Sequence, residues 1–182
     1  ITEDRLLEIF PGATVEIDHF ILINGLEQLG GAIRSHGDLT ISASSIHNNN
    51  AEVLPGGACG SSGGGIFVEA GTTTLVGTDV MENYADFGGG VHNFATATFN
   101  MTGGHLAGNI ATGWGGGLWN NMASNANLQD VVIFRNTAEG VGGGVYNNGS
   151  LEGSGVTFNE NIANAEGGGV YNDENGEMFL TS

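Results

Sequence analysis

The chain has 182 residues, a length that suits one domain or two small ones. It carries 20 Asp and Glu residues against three Arg and no Lys, so the formal net charge is −17. Nucleic acids and anionic lipid surfaces are bound by clustered cations, so this composition excludes both as expected partners. No apolar run reaches the ~18 residues of a membrane helix, so we expect no membrane insertion. A single Cys excludes an intrachain disulfide framework.

In chain order, residues 1–12 match no repeat, and we interpret them as an N-terminal cap or the tail of a preceding coil. Residues 13–182 are repetitive. The sequence Gly-Gly-(Gly/Ala)-aliphatic occurs six times, and its aliphatic residues are 25 to 33 positions apart: Ile33, Ile66, Val91, Leu118, Val145 and Val170. The last repeat stops at Ser182, so we expect an incomplete coil and a longer natural chain.

A second marker, an aliphatic residue or Phe followed by x-x-Asn, precedes each glycine group. Its asparagines are Asn24, Asn49, Asn83, Asn109, Asn136 and Asn161. The wide spacing after Asn49 predicts a loop insertion at residues 52–62, which contain Pro55 and Cys59.

The segments between these markers are short, rich in Thr, Val, Ile and Phe, and without helical periodicity. One repeat cannot bury its apolar face alone, whereas stacked repeats can. We therefore predict an all-β fold, a right-handed single-stranded parallel β-helix (solenoid) of about six coils with three short strands each.

Asparagines recur at two positions of the repeat, and stacked Asn side chains can hydrogen-bond to one another along the solenoid. The first row is the marker row given above. The second lies two residues after the coil aliphatic and consists of Asn93, Asn120, Asn147 and Asn172. We predict two internal Asn ladders with structural roles.

The two markers resemble the repeat of the chlamydial polymorphic outer-membrane proteins, which pairs Gly-Gly-Ala-Ile with Phe-x-x-Asn. Residues 30–33 and the Phe158/Asn161 pair match it literally, and looser copies extend from about residue 13 to 176. The resemblance implies a right-handed β-helix that is exported, is extracellular or at the cell surface, and often serves adhesion.

We predict no catalytic residue. Ser45, Asp79 and His105 fall in one row of successive coils, but Asp is in the middle, which is the wrong order for a nucleophilic relay. A hydrogen-bonded Asp79–His105 pair is the simpler expectation. We also predict no cofactor, with Ca²⁺ held by Glu139, Glu166 and Asp86 as the alternative.

Aromatic side chains follow the coil aliphatic in successive repeats, and strand alternation points them outward. They are Phe67, His92, Trp119, Tyr146 and Tyr171, and Trp114 extends the stripe. Such a stripe is either a binding platform for a glycan or a surface protein, or a ladder that stabilises the sheet.

The outward positions of the middle strand form two polar rows. The first row is Thr40, Thr74, Asn100, Asn127 and Glu152, and the second is Ser42, Val76, Thr102, Gln129 and Ser154. A polar face of this kind is typical of a solvated sheet, with glycan or ice as alternative ligands.

These observations favour a non-catalytic extracellular or cell-surface module for adhesion or structural assembly, with the aromatic stripe as its contact surface. One alternative is a carbohydrate-active enzyme, a polysaccharide hydrolase or lyase using Glu82, Glu139 or Glu160. Another is a filament subunit that self-associates end to end through its open coils.

Overall fold

A computed structural model describes residues 4–53 and 60–182. All regular secondary structure in these ranges is β, and its parallel strands stack as a solenoid of about six turns, which confirms the predicted fold class. Pro55 and Cys59 of the predicted insertion lie outside the described residues.

Three sheets run along the solenoid, with strands numbered in chain order. The first sheet contains β1 (Leu7–Ile9), β4 (Ile33–Ser35), β7 (Ile66–Val68), β11 (Val91–Asn93), β15 (Leu118–Asn120), β19 (Val145–Asn147) and β23 (Val170–Asn172). The middle sheet contains β2 (Thr14–Asp18), β5 (Asp38–Ser42), β8 (Thr72–Val76), β12 (Thr98–Thr102), β16 (Asn125–Gln129), β20 (Ser150–Ser154) and β24 (Glu177–Thr181). The third sheet contains β3 (Ile21–Ile23), β6 (Ser45–His47), β9 (Asp79–Met81), β13 (His105–Ala107), β17 (Val132–Phe134) and β21 (Thr157–Asn159).

A fourth, narrow sheet adds to the three predicted strands per coil. It is formed by the two-residue strands β10 (Tyr84–Ala85), β14 (Ile110–Ala111), β18 (Thr137–Ala138) and β22 (Ile162–Ala163). Each strand begins directly after a marker Asn, and its Ala points into the core.

At the N-terminal end of the solenoid, β1 pairs in parallel with β4, so the described part of residues 4–12 supplies a strand to the first coil.

The core is one continuous column of apolar side chains inside the stacked coils. Every coil aliphatic from Ile33 to Val145 is fully buried, and the middle and third sheets add residues such as Phe99 and Leu106. Because each coil covers the next, the core depends on stacking.

The tight corners explain the glycine groups. Gly88 has a positive φ of 61°, a conformation that costs Gly little. A Cβ on the next residue, Gly89, would lie 2.4 Å from the carbonyl oxygen of Ile110, so no side chain fits there. Two glycines of one group thus serve different purposes: one permits the turn, and the other permits close approach of neighbouring coils.

Two Asn ladders run inside the solenoid. In each, Nδ2 donates to Oδ1 of the next coil at 2.7 to 3.1 Å. The first ladder consists of Asn49, Asn83, Asn109, Asn136 and Asn161, and the second consists of Asn93, Asn120, Asn147 and Asn172.

The assignment of Asn24 to the first ladder is wrong. Leu22, not Ile21, is in register with Ile46, so the first coil is shifted by one residue from the marker alignment. The ladder position is therefore Gly25, whose backbone N–H donates to Asn49 Oδ1 at 2.9 Å. Asn24 is exposed and has a φ of 63°.

Candidate functional site

The outward residues of the first sheet are in register from coil to coil. Glu8 and Arg34 begin the row, and the predicted aromatic stripe continues it: Phe67, His92, Trp119, Tyr146 and Tyr171. The row therefore changes from charged to aromatic between β4 and β7.

The charged end of this row is an ion-pair cluster. The Arg34 guanidinium donates to the Glu69 carboxylate at 2.6 and 2.7 Å, and a second carboxylate, Glu8, lies 4.0 Å away. His36 Nε2 lies 3.4 Å from Glu69. These partners account for Arg34, so this end of the row is structural.

The aromatic end of the row is covered by a second layer of rings. Phe94 packs 5.6 Å from Phe67, and Trp114 stacks on Tyr146 at 5.4 Å. Phe87 lies 5.0 Å from Trp119. We call the combined surface the aromatic patch, and it consists of Phe67, Phe87, His92, Phe94, Trp114, Trp119, Tyr146 and Tyr171.

The second layer makes the predicted stripe less accessible than expected. Phe67, His92 and Tyr146 are 4%, 3% and 6% exposed, because outer rings lie over them. Trp119 and Tyr171 are half-buried. The accessible part of the patch is its rim, where Trp114 is 41% exposed.

Sequence reasoning placed Trp114 next to the stripe but missed Phe87 and Phe94. A usable signal was present, because Phe87 and Trp114 each directly precede a glycine triplet in adjacent coils. Glycines also make room for these rings: a Cβ on Gly113 would lie 2.5 Å from the Phe87 ring, and one on Gly140 would lie 2.6 Å from Trp114.

His92 is the most unusual group of the patch. Its ring stacks on Trp119, with centroids 4.0 Å apart and planes 11° apart. Neither ring nitrogen has a hydrogen-bond partner among the described residues, and burial lowers the pKa of His92 to about 3. The ring is therefore neutral and acts as an aromatic spacer.

Tyr146 connects the patch to an acidic turn. Its hydroxyl donates to Asp173 Oδ2 at 2.6 Å. Burial, together with this hydrogen bond, raises the pKa of Tyr146, and the same bond lowers the pKa of Asp173. The interaction joins two successive coils.

The predicted Asp79–His105 pair is present, with Nδ1 and Oδ1 2.7 Å apart. Ser45 is in register with Asp79, but no hydrogen bond joins their side chains in the described part of the chain. The three residues therefore form no nucleophilic relay.

Two of the carboxylates considered for chemistry, Glu160 and Asp86, are engaged by neighbours. Glu160 accepts a hydrogen bond from Arg135 at 2.7 Å. Asp86 accepts from the Thr112 hydroxyl at 2.6 Å and the Ser61 backbone at 2.8 Å. Burial on its own raises the pKa of Asp86, but these hydrogen bonds outweigh it and the pKa lies below its ordinary value. In residues 4–53 and 60–182, no three His, Cys, Asp or Glu side chains cluster as a metal site.

A shallow groove of about 440 Å³ lies on the outer face of the middle sheet. It runs across β12, β16, β20 and β24, between the two polar rows predicted there. The first row ends with Glu152 and Phe179, and the second ends with Ser154 and Thr181.

Residues 155–173 match the family model of the Chlamydia polymorphic membrane protein repeat (Chlamydia_PMP). The matched segment contains the Phe158/Asn161 marker and the glycine triplet before Val170, so it covers the part of one coil that holds β21, β22 and β23. The repeat is that of a surface or outer-membrane protein family, as the sequence resemblance indicated. Neither the comparison with curated proteins nor the one with solved structures found a match. Among the described residues, no helix has the length and apolarity needed to cross a membrane.

Proposed function

We propose that the chain is a non-catalytic, extracellular recognition module of a surface protein, and that the rim of the aromatic patch contacts its partner. The observation that carries this proposal is the exposure of Trp114 on the most aromatic face of the solenoid. Exposed apolar patches on soluble domains mark contact surfaces more often than chance.

The inner part of the patch supports the rim. Trp119 and Tyr146 pack against Trp114 and hold it in one orientation, and His92 stacks on Trp119 from beneath. A rigid aromatic residue loses little conformational entropy on binding, which favours affinity. We therefore assign Phe67, His92 and Tyr146 to supporting the surface, and Trp114, Trp119 and Tyr171 to contact.

The partner is a glycan or a surface protein, since both are bound by flat aromatic surfaces. The charge of −17 favours partners that are uncharged or basic over acidic ones. The match to a surface-protein repeat supports an adhesive role at the cell surface.

The test uses the chain's only two tryptophans, which both lie in the patch. A labelled chain is screened against arrays of glycans and extracellular proteins, and each ligand found is titrated while Trp emission is recorded. Patch binding changes this emission, and Trp114→Ala abolishes binding while the thermal unfolding temperature shows that the variant is folded.

The matched control is Phe20→Ala, which removes another exposed aromatic ring, one that makes no ring contact in the described structure. We expect it to bind as the wild type does. Binding that changes Trp emission yet survives Trp114→Ala, or an array in which no ligand changes Trp emission, would overturn the proposal.

A further inference from the structure

The groove on the middle sheet has the dimensions of a ligand site. Its volume of about 440 Å³ is within the usual ~300–1,000 Å³ of small-molecule sites. Four strands at ~4.8 Å spacing give it a length of roughly 14 Å along the solenoid axis. It is therefore suited to an extended ligand that lies parallel to the axis.

The side chains along the groove offer hydrogen-bonding groups without partners. Within the described ranges, Gln129, Glu152 and Ser154 make no side-chain hydrogen bond, and the Oδ1 atom of Asn127 accepts none. Amides and hydroxyls both donate and accept, which matches the hydroxyl groups of a sugar.

Part of this polar surface is held in position before any ligand binds. Asn127 Nδ2 donates to Asn100 Oδ1 at 2.8 Å, and Asn100 Nδ2 lies 3.4 Å from Thr74 Oγ1. This chain across three coils orients the Asn127 amide, so its Oδ1 is presented to the groove at low entropic cost.

An exposed aromatic ring lines the groove on β24. Phe179 is 67% exposed and in register with Glu152, so it continues the first row beyond the amides. The C–H face of a pyranose ring packs on an aromatic ring while its hydroxyls reach polar neighbours. Amides followed by an aromatic ring thus match a chain of sugar units.

Charge narrows the ligand class. The groove lining includes one carboxylate, Glu152, and no cation among the described residues. Together with the net charge of −17, this disfavours sulfated, phosphorylated and uronate polymers.

From these observations we propose that the middle-sheet groove is a second binding site, separate from the aromatic patch, and that it takes an uncharged oligosaccharide. Asn127 and Gln129 bind its hydroxyls, and Phe179 packs on one of its sugar rings.

Isothermal titration of the full chain with cellohexaose and chitohexaose tests this, with a heparin hexasaccharide as the charged comparison. We expect at least one uncharged probe to bind and the heparin probe not to bind. Because the hydrogen bonds and ring contact are lost, Asn127→Ala and Phe179→Ala should each weaken binding about tenfold. Asn159→Ala, an exposed amide on the third sheet, should leave it unchanged.

The outcomes separate this proposal from that for the aromatic patch. Groove binding should persist in Trp114→Ala and leave Trp emission unchanged, since no Trp lines the groove. Three results would each overturn the proposal. They are no binding of either uncharged probe, tighter binding of the heparin probe, and binding that Asn127→Ala and Phe179→Ala leave unchanged. A peptide or protein that competes for the same residues when the sugars fail would identify a different kind of partner.

Discussion

Acidification from about pH 7.5 to about pH 5 should lower the free energy of unfolding, because the His92 ring is neutral in the folded protein. The side chain is 3% exposed, and the groups that pack on it are the aromatic rings of Phe67, Phe94 and Trp119. None of these rings carries a charge that could stabilise a protonated imidazole.

The magnitude follows from the two pKa values of His92. In the unfolded chain the pKa is about 6.5, whereas burial lowers it to about 3 in the folded protein. Near pH 5 the unfolded chain therefore binds a proton that the folded protein does not. The free energy of unfolding therefore decreases by about 2 kcal/mol as the pH is lowered from about 7.5 to about 5.

The two carboxylates with lowered pKa values, Asp86 and Asp173, do not obscure this effect. The pKa values of Asp86 and Asp173 lie below the ordinary value, so their contributions to stability are present above about pH 4 and are lost only below it. Their contribution to the free energy of unfolding is therefore constant between about pH 5 and about pH 7.5.

The assay is urea unfolding of the wild type and of His92→Phe at both pH values. Phe fits this position, because Phe67 occupies it in the preceding coil. The other four of the five histidines are the same in both proteins, so their effects cancel in the difference. Tyr171→Phe, in the same row, controls for a change of ring without loss of a group that titrates in acid.

We expect the stability difference between wild type and His92→Phe to shift by about 2 kcal/mol against the wild type on acidification, and Tyr171→Phe to follow the wild type. Equal acid sensitivity of wild type and His92→Phe would refute the reasoning, because the ring would then be solvated or paired in the folded protein.

Two further predictions concern stability. Asn136→Ala should cost about 2–5 kcal/mol in urea unfolding, because its fully buried amide makes four hydrogen bonds and the buried backbone N–H of Asn109 would lose its acceptor. Exposed Asn159→Ala is the control, and similar losses for both would contradict the ladder's contribution. Ala123→Gly should stabilise by up to about 1 kcal/mol, because Ala123 is exposed with a φ of 64°. Ala165→Gly, at an exposed position without positive φ, should not stabilise, and a gain there equal to that of Ala123→Gly would show that backbone strain is not the cause.

The repeat made the fold predictable from sequence. A glycine group and a marker Asn recur in every coil because every coil must turn at the same corners and bury the same inward positions. The same regularity placed the aromatic stripe, the polar rows and the Asp79–His105 pair in register without any coordinates. It failed at Asn24, because Ile21 fits the marker, whereas the pairing with β6 shows that Leu22 takes the inward position and that Gly25 lies at the ladder position.

Accessibility required the tertiary structure. Strand alternation tells which side of a sheet a residue faces, but not what covers it there. Phe94 and Trp114 are in corners outside the strands, and only the stacking of coils lays their rings over His92 and Tyr146. Most of the stripe that the repeat predicts as a contact surface is therefore buried and supports the outer rings. The surface that a partner can reach depends on which rings of neighbouring coils cover the stripe.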